Sequence, residues 1–588
     1  MTTISRIFDL TDQLPVKFPG QTIVSGKANG SWYSYTSEQF VEITELFSRG
    51  LIASGIAHGD KVAILSQNRP EWNICDFGVM QTGAALVPMY PTLADHDIRF
   101  ILKDAEVKMI FISGTDLLRK IIALNDNERL KIYSLDKLEG VAHWQELVGL
   151  GREHPEIDLQ KIKDGTTPDD LLTLIYTSGT TGTPKGVMLT HKNLLSNVLS
   201  SCVLYPSGYA KALSFLPLCH IFERMVVYMY FNLGISIFYA ESMDTIVADL
   251  NDVKPDGFTT VPRLLEKVYD RIAAKGAALT GIKKKLFYWA LDLGLRYELD
   301  GKNGWWYELQ LAIANKLVFS KWREALGGKI QAIISGGAAL QPRLARVFWA
   351  AGIPVLEGYG LTETSPVIAV NGLEKGKRAF NTVGKPISNV IVKIGDDGEV
   401  LCKAPSVMKG YYKRPDLTAE VIDADGFFHT GDIGQLNGEG FLSITDRKKE
   451  MFKTAGGKYV APQIIENKFK ESPLIEQVMV IGENRKFPAA LIVPAFDALK
   501  DWCSKKNIPW STRAEVICNP LVTDKYKREL DRYNEEFGHW EQVKKFALLP
   551  QEWTIEQGEM TPKLSLKRKV VTEKHRDIIE ELYRDVTR

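Results

Sequence analysis

A chain of 588 residues exceeds one ordinary hydrophobic core and suggests three or four domain-sized units. With 45% apolar and 25% charged residues it has a globular composition, and its net charge of +1 gives no global bias toward nucleic acid or membrane, leaving only local patches to steer partners. The six cysteines (Cys75, Cys202, Cys219, Cys402, Cys503, Cys518) are scattered without a C-x-x-C pair, which argues against a disulfide framework or zinc site and for reduced thiols in the cytoplasm.

The first residues carry Asp9 and Asp12 and no long apolar run after a basic start, so no secretory signal is expected. Thr36 and Gln39 have capping-box spacing ahead of a helical pattern at Phe40, Ile43, Leu46, Phe47 and Leu51. A strand over 61–65, a helix opening at Pro70 and a strand over 85–89 follow, an alternation that predicts a doubly wound α/β sheet. Residues 125–170 are charged and weakly periodic and read as surface helix and loop. The apolar stretch 225–240 is shorter than the roughly 20 residues of a membrane span and is broken by Asn232, Gly234 and Ser236, so it reads as buried core.

Between apolar runs at 171–176 and 187–189 lies a loop of Gly179, Gly182 and Gly186, five hydroxyls (Thr177, Ser178, Thr180, Thr181, Thr183) and Lys185. Glycines let backbone N–H groups approach a ligand and the hydroxyls add donors, a surface suited to polyphosphate. It is no Walker A loop, which needs Gly before and Ser or Thr after its lysine, because Pro184 and Gly186 flank Lys185. The kinase G-x-G-x-x-G spacing is absent too. Downstream, a strand over 330–334 runs into Ser335-Gly336-Gly337-Ala338-Ala339 with Pro342 opening a helix. A second strand over 353–356 precedes Glu357-Gly358-Tyr359-Gly360-Leu361-Thr362-Glu363-Thr364. There Tyr359 offers a ring for stacking, Thr362 a hydroxyl for phosphate and Glu363 a hard oxygen for Mg²⁺.

YTSGTTGTPKG, GYGLTET, the TGD of Thr430 to Asp432 and the DRKKE of Asp446 to Glu450 occur in an order that resembles the adenylate-forming (AMP-binding) synthetases, and the long-chain or bubblegum-type acyl-CoA synthetases among them. The resemblance runs from about Trp32 to Lys569. It implies a large N-terminal domain of doubly wound sheets with a β-rich subdomain (1–445) and a small mobile α+β C-terminal domain (446–588). ATP and Mg²⁺ would be cofactors and coenzyme A the acyl acceptor, with a medium- or long-chain fatty acid activated to acyl-AMP. A fatty-acyl-AMP ligase loading a separate carrier protein and a nucleotide- and lipid-binding homologue with weakened chemistry remain as alternatives.

The same resemblance assigns nucleotide contacts to Thr177, Ser178, Gly179, Thr180, Thr181, Gly182, Gly337, Tyr359, Gly360 and Thr362, the ribose to Asp432, and ribose or phosphate to Arg447. Lys185, Thr362 and Glu363 would act on the phosphates, Glu363 holding the metal. His220 (in LPLCHIFER), Gly336 and Ala338 would line the acyl site, and Lys449 would occupy the hinge. Two departures stand out. Leu264 and Leu265 follow Val261-Pro262, where some relatives carry a gating tryptophan, and TPKLSLKRK places Ser565 where a catalytic lysine is expected, leaving Lys563 or Lys567 for that role. The aromatic, lysine-bearing stretch 281–322 reads either as packing on the core or as a peripheral membrane contact. Oligomeric state is not legible.

Overall fold

The computed structural model describes residues 4–125, 130–178, 184–206, 208–555, 557–561 and 566–584. The chain divides into two compact units: Met1–Lys393 with Leu401–Thr430 and Asn437–Leu442, and Ile394–Val400 with Gly431–Leu436 and Ser443–Arg588.

The first unit holds two sheets with parallel inner strands, the larger antiparallel at both edges and the smaller antiparallel only at its Gly410–Tyr411 edge. One has nine strands, in the spatial order Lys385–Pro386, Val367–Val370, Val355–Gly360, Ala332–Ser335, Gly257–Thr260, Lys211–Ser214, Ser236–Tyr239, Thr22–Ala28, Ser31–Thr36. The other has eight, in the order Gly410–Tyr411, Pro184–Thr190, Leu171–Ser178, Ala85–Met89, Lys61–Leu65, Met109–Ile112, Lys131–Ser134, Ala142–His143. The expected α/β architecture is present. Thr36 caps the helix Ser37–Ala53 with both bonds of its capping box to Gln39. The strand Lys61–Leu65, helix Pro70–Gln81 and strand Ala85–Met89 fall where the pattern put them.

Helix Pro70–Gln81 is buried at every position because it touches Ala85–Met89 of one sheet and Thr22–Ala28 of the other. A helix between two sheets has no solvent face, and its sequence accordingly lacks a polar stripe. Its one acidic side chain at mid-helix, Asp76, is matched from helix Ile221–Leu233 by Arg224, both side chains being fully buried. Arg224 Nε lies 3.0 Å from Asp76 Oδ2, and Nη2 also bonds the carboxylate. Nη1 donates to Thr173 Oγ1 at 2.8 Å, and Tyr228 OH donates to Asp76 Oδ2 at 2.7 Å. Thr173, on strand Leu171–Ser178, donates its own hydroxyl to Leu86 O at 2.6 Å. One guanidinium thus joins two helices to the strand that leads into the phosphate loop.

Three expectations are corrected. Residues 125–170 are more than surface: they supply the last two strands of the eight-stranded sheet and helix Trp144–Glu153, which buries Trp144, Leu147 and Val148. That helix meets Ser37–Ala53 so closely that a Cβ on Gly50 would lie 1.9 Å from Leu147 O and one on Gly151 1.9 Å from Leu46 O, a backbone approach invisible to periodicity. The strand expected over 353–356 runs on through Gly360, so Tyr359 sits in a ladder opposite Ala369 instead of a loop. Leu213-Ser214-Phe215-Leu216-Pro217 reads as a strand in the sequence, but strand Lys211–Ser214 stops at Ser214. The apolar stretch 225–240 is core, formed by the end of helix Ile221–Leu233 and strand Ser236–Tyr239, and no described helix is long and apolar enough to cross a membrane.

In the second unit, helix Pro462–Phe469 and a sheet ordered Ile475–Ile481, Ala489–Pro494, Lys545–Leu548 enclose a separate core around Val478, Leu491, Val493 and Tyr526. Glycines 456 and 457 turn a short hairpin between Phe452–Lys453 and Tyr459–Val460. The expected β-rich region is supplied by strands Ile391–Ile394, Glu399–Lys403, Phe428–Leu436 and Leu442–Arg447, whose residues are divided between the two units.

Substituting Asp76→Ala strands a buried guanidinium and is expected to cost about 3–5 kcal/mol in urea unfolding of the first unit. Asp76→Ala with Arg224→Met, which removes both charges, is expected to recover most of that loss.

Candidate active site

Strands Leu171–Ser178 and Pro184–Thr190 form an antiparallel hairpin in which Thr177 pairs with Lys185 and Ser178 with Pro184. Gly179, Thr180, Thr181, Gly182 and Thr183 lie outside the described residues. Beyond the hairpin, Thr190 caps helix His191–Cys202, with Thr190 N bonded to Asn193 Oδ1 at 2.9 Å. The same Asn193 amide donates to Pro405 O and Val407 O, each at 2.8 Å. One turn on, Asn197 Nδ2 donates to Val367 O at 2.8 Å while its Oδ1 accepts from Val367 N at 3.2 Å. The helix behind the phosphate hairpin therefore grips both the 405–407 segment and the end of the GYGLTET turn.

That 405–412 segment is the part of the site that sequence reasoning missed. Gly410 pairs with Met188 and Tyr411 with Val187, extending the hairpin by a third strand, and Tyr412 N bonds Gly186 O at 2.8 Å. Met408 N bonds Glu363 O at 2.8 Å, and Tyr411 OH donates to Glu363 Oε1 at 3.0 Å. Lys185 Nζ stands 5.2 Å from the centre of the Tyr411 ring, within cation–π range. Burial first, and the Glu363 charge second, push the Tyr411 phenol far above its ordinary value, so it remains a donor at all physiological pH. Tyr411 joins Lys185 to Glu363. The signal available in the sequence was Gly410, which the structure holds at φ 143°, a backbone conformation that favours glycine.

Thr362 is buried at the start of a short 3-10 turn, and Gly360 admits the chain because a Cβ there would fall 1.8 Å from Pro366 O. Strand Ala332–Ser335 delivers Gly336 and then Gly337 at φ 80°, and Pro342 opens helix Pro342–Ala350 as expected. Ala338 follows in the same turn. A Cβ on Gly336 would lie 3.2 Å from the Phe222 ring, which places this turn against an apolar cavity walled by Tyr205, Phe222, Met225, Met229, Ile334 and Leu356. The cavity walls were not read from the sequence. His220, expected to position substrate, is the N-cap of helix Ile221–Leu233, its Nδ1 accepting from Phe222 N at 3.2 Å. The cap fixes where Phe222 enters the cavity. The side chain of Glu223 points away into the core, where Ser214 Oγ at 2.5 Å and Thr259 Oγ1 bond it, and desolvation pushes its carboxyl up to about 7. Desolvation likewise raises Glu357, at the head of GYGLTET, to about 8.

The second unit carries the other expected residues. Asp432 is buried on strand Phe428–Leu436, with Arg447 Nε 3.3 Å from its Oδ1. Lys448 N bonds Gly431 O at 2.9 Å and its ammonium pairs with Asp397 and Glu399, so TGD and DRKKE are tied side by side. Lys449 is exposed in the turn that follows strand Leu442–Arg447. Asp446 accepts from Arg447 N at 2.6 Å and Gln463 N at 3.2 Å, yet desolvation pushes it up to about 7. Lys563 and Ser565 lie outside the described residues. Lys567 starts helix Arg568–Lys574 with its N–H on Glu559 O at 2.8 Å. Its neighbour Arg568, also missed, is locked between Glu450 and Glu466 and donates to Val480 O at 3.0 Å. Among the described residues no group of three His, Cys, Asp or Glu side chains is arranged to hold a metal by itself.

Residues 12–412 match the family described as AMP-binding enzyme, and residues 450–587 match the AMP-binding enzyme C-terminal domain. The chain belongs to the AMP-binding enzyme family. Within this family it is 33% identical over 574 residues to the Mycobacterium bovis protein named long-chain-fatty-acid–CoA ligase FadD15, covering 96% of this chain and 95% of that one. It is 32% identical to the human protein named long-chain-fatty-acid–CoA ligase 1, covering 94% and 82%. Among solved structures, the adenylation domain of a carboxylate reductase from Mycobacterium chelonae shares the fold at a TM-score of 0.77 and 22% identity, covering 99% of this chain and 92% of that one. The Bacillus subtilis o-succinylbenzoate CoA synthetase, solved with its acyl-adenylate, does so at 0.67 and 20%, covering 95% and 97%.

The buried Glu223 gives a pH test. Its folded pKa lies above its unfolded one, so the folded state holds the extra proton between about 4.5 and 7, and stability falls as pH rises through that window. Glu223→Gln keeps the shape without the charge. It is expected to unfold like the native protein at pH 4.5 and to be more stable by roughly 2–3 kcal/mol at pH 8, read from urea curves at the two pH values.

Proposed function

We propose that the protein joins a medium- or long-chain fatty acid to coenzyme A by way of an acyl-adenylate, converting ATP to AMP and pyrophosphate. The observation that carries this reading is the apolar cavity lined by Phe222, Met225 and Met229, whose Phe222 ring lies beside Gly336, in a chain whose relatives named long-chain-fatty-acid–CoA ligases span nearly its full length. In the first half-reaction a carboxylate oxygen attacks the α-phosphorus of ATP, the α–β bridging bond breaks, and pyrophosphate leaves. The acid is already ionised at neutral pH, so positioning and charge stabilisation supply most of the rate.

The residues then take the following parts. Residues 177–182 and Lys185 hold the phosphates, and Thr362 adds a hydroxyl. Tyr359, Gly360 and Gly337 receive the base, Asp432 the ribose hydroxyls, and Arg447 the ribose or α-phosphate. Mg²⁺, which keeps few protein ligands and takes its remaining oxygens from phosphates and water, fits the single carboxylate of Glu363, which Tyr411 holds in place. Phe222 and Met229 flank the acyl chain, with Gly336, Ala338 and the His220 cap shaping its entrance. In the second half-reaction the thiol of coenzyme A attacks the acyl carbon, AMP leaves, and a thioester remains. The domain from Asp446 turns about Lys449 between the two halves. A poorly soluble acid partitions into lipid, which gives the exposed stretch 281–322 a part as a peripheral membrane contact.

Fatty-acid-dependent ATP–pyrophosphate exchange tests the adenylation, and CoA-dependent AMP release over a chain-length panel tests the acceptor. Exchange without CoA-dependent turnover would move the reading to a carrier-protein acceptor, and no exchange with any acid would remove it. Met229→Trp, which fills the cavity, is expected to lower kcat/KM about tenfold or more for the longest acids while sparing short ones. Tyr411→Phe is expected to slow adenylation about tenfold and to raise the Mg²⁺ concentration needed for half-maximal exchange. Lys563→Ala is expected to slow adenylation about 100-fold; if Lys567→Ala does so instead, the C-terminal cation is Lys567.

A further inference from the structure

Helix Trp305–Ala314 continues through the π-turn Asn315–Phe319 into helix Ser320–Ala325, and it is apolar on two opposite sides. One side, Tyr307, Leu311, Ala314 and Val318, is buried, and Tyr307 OH bonds Leu293 O of helix Gly281–Leu295 at 2.5 Å. The other side recurs every four residues as Trp305, Leu309, Ile313 and Leu317, with Trp306 beside it, and these are 77%, 49%, 46%, 48% and 59% exposed. Ile282, 76% exposed, opens the neighbouring helix Gly281–Leu295. A helix that is hydrophobic all round is ordinarily covered all round. Packing on the core therefore accounts for only half of this helix, and the solvent side carries a contiguous apolar stripe of a kind that marks an interaction surface.

The charges around the stripe select the partner. Exposed Lys283, Lys284 and Lys285 follow Ile282, Lys302 precedes Trp305, and Lys316 and Lys321 bracket Leu317. Of the nearby acids, Asp292 is paired with Arg296, Glu298 with Arg346 at 3.0 Å and Asp300 with Arg378, which leaves Glu308 and Glu324 against these six lysines. Two copies meeting through this face would bring like charges together, which disfavours self-association. A lipid surface offers what the face lacks: hydrocarbon for Leu309, Ile313 and Leu317, the headgroup boundary where tryptophan rings settle, and anionic headgroups for the lysines.

We propose that Trp305, Trp306, Leu309, Ile313 and Leu317 form a membrane-docking face that lays helix Trp305–Ala314 flat in the interface of an anionic bilayer, with the six lysines on the headgroups. The adhesion follows from the face itself; its purpose, drawing an apolar acid from the membrane, rests on the fatty-acid reading above. The test is flotation of the full-length protein with phosphatidylcholine vesicles, with and without phosphatidylglycerol. The native protein is expected to float with the anionic vesicles and to be released by high salt. Trp305→Ser combined with Trp306→Ser and Leu309→Ser is expected to lower the vesicle-bound fraction about tenfold. These side chains are exposed, so ATP–pyrophosphate exchange with acid supplied in free solution is expected to be unchanged in the triple variant. Lys283→Glu with Lys284→Glu and Lys285→Glu, an independent probe of the same face, is expected to abolish the preference for anionic vesicles. The proposal is overturned if the native protein floats with neither vesicle. It is equally overturned if both variants float as the native protein does, or if light scattering shows the triple variant splitting a dimer while its flotation is unchanged. Flotation that responds to the variants in a protein without any acid-dependent exchange would keep the docking face and remove the substrate reading.

Discussion

The buried pair of Arg224 and Asp76 is the constraint around which the larger unit is arranged. Neither side chain touches solvent, and a lone charge at that depth would be prohibitive, so the two helices that carry them must face one another, with Tyr228 of the second helix and Thr173 of the adjoining strand completing the hydrogen bonds. Thr173 lies on the strand that ends in the phosphate hairpin, and Arg224 lies on the helix whose first turn carries His220 and Phe222. The pair thus sets the position of the hairpin relative to the acyl cavity. Such an arrangement contributes little net stability, but every alternative packing of the two helices would leave an ion unpaired.

A second set of bonds assembles the phosphate end of the site from pieces far apart in sequence. Asn193 and Asn197 stand about one helical turn apart on the helix that follows the hairpin, and each amide acts as a two-sided clamp on backbone, one at 405–407 and the other at 367. Between them Tyr411 connects a cation of the hairpin with the carboxylate of the GYGLTET turn. Because these bonds end on backbone or on a phenol that stays protonated, they hold the geometry without adding charge near the place where phosphates would sit. In the smaller unit Arg568 does comparable work with charge: it ties the C-terminal segment to Glu450 beside the hinge motif and to Glu466 on the following helix.

The sequence by itself determined the local structure and the chemistry of the glycine-rich motifs. Capping boxes at Thr36 and Thr190, the proline at 342, the alternating strands and helices of 61–89 and the hairpin flanks at 171–190 are written in short-range rules, and the chain obeys them. The family motifs are equally local, since a loop that must bring its backbone to phosphate has few residue choices. What only the tertiary structure decided were partnerships between distant segments. Tyr411 looks like any strand tyrosine until its hydroxyl is seen on Glu363, Arg568 like one more cation in a basic run until it is seen between two glutamates, and Phe222 and Met229 like core until a cavity opens beside Gly336. Residues 281–322 show the limit most plainly. Their pattern specified helices and left both packing on the core and contact with a membrane open, because a residue pattern states which side chains are apolar but not how much of their surface the rest of the chain has room to cover.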